Sequence, residues 1–156
     1  MNADPLVMEH FPRVLSRDES DALADRIEAH FERHGFGLWA TEVRGSAPFA
    51  GFVGLAVPSF EAPFTPCVEV GWRLSREHWG RGYATELARA LVRKAFTELG
   101  AVCLVASVMI ANQGSIRVLE KAGLRPVGAP VYLPGEDEPS VKYALTREQF
   151  DQDRFA

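Results

Sequence analysis

No run of apolar residues in this chain approaches the roughly 18 needed to cross a bilayer, so a membrane-spanning helix is excluded. Residues Met1 to Pro5 have neither the basic n-region nor the apolar h-region of a signal peptide, and the protein is expected in the cytoplasm. Cysteine is scarce. Cys67 and Cys103 form no disulfide framework and no metal-type spacing, and both fall in expected interior strands, where they read as buried free thiols. An excess of basic charge is lacking too: the formal charge is −4 and Lys and Arg are not clustered, which excludes a nucleic-acid footprint. His30 and His34 stand four apart, but no third ligand is in view, so no metal is expected. Internal repeats and low-complexity tracts are absent.

What remains is a chain of 156 residues, 47% apolar and 24% charged, the make-up of one globular domain spanning 1–156 with an ordinary core. Residues 2–12 form a lead-in broken by Pro5 and Pro12, with Leu6, Val7, Met8 and Phe11 able to pack on the body. Ser16 to Glu19 reads as a capping box, after which Leu23, Ala24, Ile27 and Phe31 repeat at helical spacing until Gly35. Two strand-like runs follow, 37–43 and 49–57, joined by a turn through Gly45. Gly51 and Gly54 in the second run point to a bulge or a close backbone approach. The loop 58–66 is punctuated by proline and is either a packed surface loop or part of a substrate-facing rim.

The stretch from Glu69 to Thr85 carries the most information. A β-prone run over 67–74 ends at Leu74, a polar link holds Gly80 and Gly82, and a helical stripe of Ala84, Leu87, Ala88, Leu91, Val92, Ala95, Phe96 and Leu99 runs to Gly100. Two glycines ahead of a helix let backbone amides converge, and the first-turn N–H groups have no intrahelical partners, so phosphate oxygens fit there. No Gly-Lys-Ser/Thr ends the loop, and Thr85 stands where a dinucleotide fingerprint has its third glycine. A tight turn before a helix is the competing reading. The apolar run 101–108 makes a right-handed parallel crossover from the Glu69 strand. A second helix over 112–121 is capped by Asn112, with Ser115 near the same end. Two strands, 124–131 and 140–145, close the sheet, and the tail from Thr146 is expected to be loosely docked.

The run E-V-G-W-R-L…W-G-R-G-Y-A-T-E-L, followed by N-Q-G-S-I-R-V-L-E-K-A-G-L, closely resembles the GNAT superfamily of N-acetyltransferases, in the branch of the ribosomal-protein N-terminal acetyltransferases. The likeness extends over nearly the whole chain. It implies an α/β (α+β) fold with a mixed, mostly antiparallel sheet, splayed between the strands at 67–74 and 101–108 and flanked by helices. Acetyl-CoA would lie in the opening. Its pyrophosphate would rest on the loop formed by His78, Trp79, Gly80, Arg81 and Gly82 and on Tyr83, Ala84 and Thr85 at the helix start. The pantetheine arm would pair with backbone of Trp72 and Leu74, and Asn112 would hold the other side. Arg73 and Arg76 would attract the anionic cofactor or simply form a solvated face. The family has Gln or Arg three residues before the first glycine, whereas Glu77 stands here, which implies repulsion of CoA phosphates. Family members also begin with a further strand. Without it the strand at 38–43 would be an exposed edge, covered either by a partner subunit, as in a homodimer, or by the lead-in.

The implied activity is acetyl transfer from acetyl-CoA to a primary amine, on a small molecule or a protein N-terminus; the alternatives are a non-catalytic acyl-CoA-binding or regulatory module and a degenerate remnant. Transfer needs a deprotonated amine and a proton for the departing thiolate. Glu69, a carboxylate within an apolar strand pattern, is the candidate base, acting directly or through water, because partial burial favours the protonatable range; a structural carboxylate is the competing reading. Ser115 is the candidate proton donor, with Tyr132 and His78 as alternatives. Trp79 is expected to stiffen the glycine loop, and Trp39 and Trp72 to line the core or acceptor groove.

Overall fold

A computed structural model of the protein describes residues 1–59, 61, 67–133 and 137–153. The elements in chain order are α1 (Arg17–His34), β1 (Leu38–Val43), β2 (Ala47–Ala56), β3 (Val68–Leu74), a 3-10 turn (Arg76–His78), α2 (Tyr83–Thr97), β4 (Cys103–Met109), α3 (Gln113–Lys121), β5 (Arg125–Val131), β6 (Ser140–Thr146) and α4 (Arg147–Asp153). Six strands make one sheet in the order β1-β2-β3-β4-β6-β5. Only β3 and β4 run parallel; every other neighbouring pair is antiparallel. Among the described residues no helix is long and apolar enough to cross a membrane. Most of the loop 58–66 lies outside the described residues.

The strand period of two sorts the sheet residues onto two faces. Val53, Leu55 and Val70, with Leu104, Ala106, Val108, Tyr143 and Leu145, turn to one side. There they meet Ala88, Leu91, Val92, Ala95 and Phe96 of α2 and Leu119 of α3 in a single buried cluster. The opposite face carries Phe52 and Arg73, which stand opposite each other across β2 and β3. The lead-in is fastened there. Arg73 donates from a terminal guanidinium nitrogen to Asn2 Oδ1 at 3.0 Å, and its guanidinium lies 4.1 Å from the Phe11 ring centre and 5.2 Å from that of Phe52. Val7 and Met8 of the lead-in are buried. The lead-in thus sits on the sheet face at β3, and β1 is the outermost strand at its end of the sheet.

Helix α1 starts as its capping box dictates: Ser16 Oγ accepts the Glu19 amide at 3.2 Å, and Glu19 Oε2 accepts the Ser16 amide at 2.8 Å. A hydrogen bond from the Arg13 guanidinium, ahead of those from Ser16, holds the Glu19 carboxyl down at about 2. Gly35, at φ 72°, ends the helix. His30 on this helix has a structural job. His30 Nδ1 lies 2.7 Å from the Phe36 carbonyl oxygen and Nε2 accepts the Val57 amide at 2.9 Å, which requires the neutral tautomer protonated on Nδ1. Both ring nitrogens are therefore spent on tying α1 to the strand ends.

Three expectations are corrected. The tail is not loosely docked: it forms α4 through Asp153. Thr146 Oγ1 accepts the Gln149 amide while Gln149 Oε1 accepts the Thr146 amide, and Phe150 stacks on Phe96 with ring centres 4.7 Å apart. Helix α2 ends at Thr97 rather than Leu99, because the chain turns away through left-handed Gly100 and leaves Leu99 exposed. Cys67 and Cys103 are half-buried rather than interior.

Candidate active site

β3 and β4 pair only at Val68–Leu104 and Glu69–Val105. Beyond that point β3 follows β2, remaining in register to Leu74–Gly51, while β4 follows β6 to Met109–Ser140. The two halves of the sheet separate there, giving the splay expected between these strands. The Ser75 amide donates to the Ala50 carbonyl, so the alternation of an antiparallel ladder turns the main-chain groups of Trp72 and Leu74 away from β2 and into the gap.

Glu69 stands at the vertex of this opening. Its Oε1 accepts the Ser107 amide at 3.0 Å, a side chain standing in for the ladder partner that Ser107 loses when the strands part. The half-buried carboxylate therefore has a structural bond already.

From Leu74 the chain passes through the 3-10 turn, where a polar loop is expected from the sequence, to Gly80 (φ 71°) and Gly82 (φ 85°). Gly82 is the N-cap of α2 and supplies no side-chain hydrogen bond, so the first-turn amides keep their donors facing outward. Two side chains stiffen this loop. His78 is buried with Nδ1 2.7 Å from Ser75 Oγ, and the Trp79 indole N–H donates to the Leu74 carbonyl at 2.9 Å. That bond occupies the Leu74 carbonyl and leaves the Leu74 amide and the Trp72 groups for a ligand. Arg81, Glu77 and Gly80 are exposed, and Tyr83, Ala84 and Thr85 are half-buried at the helix start. Glu77 turns back on the loop, its Oε1 accepting from Ser75 Oγ at 3.4 Å.

The other lip of the gap is the start of α3. Asn112 Oδ1 accepts the Ser115 amide at 3.0 Å, so its carbonyl oxygen is spent as a cap and its amide NH₂ is what it can offer a ligand. Ser115 is half-buried in that first turn, and Tyr132, the alternative donor, is exposed at the end of β5. The structure brings Glu69, Trp72, Leu74, the glycine loop, Asn112 and Ser115 around one opening. It does not bring Arg73 there: its side chain is held beneath the lead-in by Asn2, where burial pushes its pKa down to about 10. Arg76 pairs loosely with Asp4 at 4.0 Å. The role of Ser107 had no signal in the sequence, since it depends on where β3 and β4 part.

Gly82 offers a direct test of the loop. No atom lies within 4 Å of where a Cβ would sit, so a side chain there is opposed by its positive φ alone. Gly82→Ala is expected to raise the acetyl-CoA KM several-fold while kcat at saturation changes little. Gly82→Asn, which tolerates this conformation better, is expected to stay nearer the parent; equal KM values for all three would separate the loop from cofactor binding.

Known proteins fit this geometry. The family model described as Acetyltransferase (GNAT) domain matches residues 1–125. An Aspergillus fumigatus protein named FsC-acetyl coenzyme A-N(2)-transacetylase is 38% identical over 96% of this chain and 68% of its own length. Among solved structures, a GNAT-family acetyltransferase from Bacillus anthracis superposes with a TM-score of 0.76 at 22% identity, covering 94% of this chain and 85% of the other. A Vibrio cholerae spermidine N-acetyltransferase in complex with CoA and spermine superposes at 0.72 with 18% identity over 96% and 87% of the two chains. With a splayed sheet, a glycine loop opening α2 and a family match over four-fifths of its length, the chain belongs to the GNAT family of acetyltransferases.

Proposed function

We propose that this acetyltransferase transfers the acetyl group of acetyl-CoA directly to a primary amine of a small molecule, with Glu69 as general base. The observation that carries this reading is the carboxylate at the vertex of the gap, where β3 and β4 part and the main chain of Trp72 turns outward. The pantetheine arm extends the β3 edge at Trp72 and Leu74, the pyrophosphate rests on the amides of 80–85, and Asn112 donates from the opposite lip. Glu69 takes a proton from the acceptor ammonium, directly or through one water. The neutral amine then attacks the thioester carbonyl, the C–S bond breaks, the thiolate takes a proton from Ser115 or, as the second candidate, Tyr132, and the N–H proton shed as the amide forms restores the donor hydroxyl.

The fungal relative's name specifies N(2) transfer, and a structural neighbour is a spermidine N-acetyltransferase, which favours small-molecule amines over the protein N-terminus suggested by the resemblance to the ribosomal-protein branch. A thiol-release assay with acetyl-CoA across polyamines, amino acids, aminoglycosides and N-terminal peptides separates the readings. Turnover confined to a small-molecule class is the expected result. Turnover confined to peptides moves the acceptor to a protein N-terminus. Binding of acetyl-CoA with no thiol released for any amine would instead favour a non-catalytic acyl-CoA-binding module.

A further inference from the structure

The two cysteines are separated by 35 residues in the sequence and show no pairing pattern there. The register of the parallel pair places them together. Val68 faces Leu104 and Glu69 faces Val105, so Cys67 and Cys103, one position earlier on each side, stand abreast at the closed end of the gap. Neighbouring strands lie about 4.8 Å apart, inside the Cα separation of roughly 4.4–6.8 Å that a disulfide spans. Alternation turns both side chains to the face that carries Glu69. Both thiols are free and partly exposed, so a small reagent reaches them.

We propose that Cys67 and Cys103 form a dithiol site that a low-molecular-weight disulfide oxidises to an intramolecular disulfide, stapling β3 to β4 where the splay begins. One thiolate attacks a sulfur of the small disulfide, forming a mixed disulfide and releasing one small thiol. The second thiolate then attacks the protein sulfur of that mixed disulfide and displaces the other small thiol. The protein loses two hydrogens and two electrons, and the small disulfide is reduced to two thiols. Burial, followed by the nearby Glu69 and Cys103, pushes the Cys67 thiol up to about 11, and burial also raises Cys103. Each thiol reacts as its thiolate, so the reaction quickens as pH rises. The staple closes a loop that contains the glycine segment and all of α2, so it fixes both ends of the segment assigned to the cofactor and constrains the unfolded chain.

The reduced native protein is incubated with oxidised glutathione at pH 8.5, quenched with an alkylating agent, and read by intact mass and peptide mapping. The expected product is two hydrogens lighter than the reduced chain, unalkylated, with a linked peptide joining Cys67 to Cys103. Its Tm is expected to rise by about 5–10 °C, reversed by dithiothreitol. Cys67→Ser and Cys103→Ser should each stop at one glutathione adduct. Two stable glutathione adducts on the parent protein, an intermolecular dimer, or a linkage that forms only in urea would each overturn the proposal.

Discussion

Glu69→Gln is expected to lower kcat by about 10²- to 10⁴-fold, the usual contribution of a general base, while acetyl-CoA binding stays near the parent. The substitution isolates one property of the side chain. A glutamine Oε1 can still accept the Ser107 amide, the 3.0 Å bond that closes the vertex of the splay, so the scaffold is retained and the proton acceptor is removed. Glu69→Ala removes both. It is expected to match Glu69→Gln in kcat and in addition to lose roughly 1–3 kcal/mol of folding stability, because the Ser107 amide is left without its partner. Steady-state kinetics on a reactive amine, with urea unfolding of both variants, separates the two jobs. If Glu69→Gln turns over at the parent rate at neutral pH, the carboxylate is structural and the base lies elsewhere.

Gly54→Ala is expected to cause a large loss of stability. A Cβ at this position would lie 2.0 Å from the Gly37 carbonyl oxygen and 2.6 Å from Leu38 Cα, both main-chain atoms that cannot rotate aside. To admit the methyl group, the start of β1 must move away from β2 and break the 3.1 Å bond from the Leu55 amide to the Gly37 carbonyl. Overpacking together with the lost hydrogen bond is expected to cost about 3 kcal/mol, measured as a fall in the urea midpoint. Gly71→Ala is the control, since its Cβ would meet open space and no stability change is expected. A Gly54→Ala protein as stable as the parent would mean that β1 shifts at no cost.

These two sites differ in how far the sequence announced them. Gly54 could be read as a place of close approach because an isolated glycine in an apolar strand run has few other uses, and the neighbour turned out to be the start of β1. Glu69 was conspicuous as a lone carboxylate in an apolar strand, yet its bond to Ser107 could not be foreseen: the two are 38 residues apart, and their meeting depends on where the parallel ladder stops. The helical tail was legible and was missed. Thr146 and Gln149 have capping-box spacing, and with Phe150 in the next turn they announce α4. Arg73 failed in the opposite way. Strand alternation sets its side chain on the face opposite to Trp72, where the lead-in covers it.

The sequence alone determined what is local. Hydrophobic period, capping residues and glycine positions establish α1, α2, α3 and the strands between them, and two motifs in order assign the family. Such features are set by residues within a few positions of one another, where side-chain spacing and backbone conformation act directly. Tertiary structure alone decided which distant groups meet: the carboxylate of Glu69 with the Ser107 amide, and the lead-in with Arg73. Those contacts depend on strand register and on the point where one sheet becomes two, and a one-residue slip in register would reassign them while the local pattern stayed unchanged.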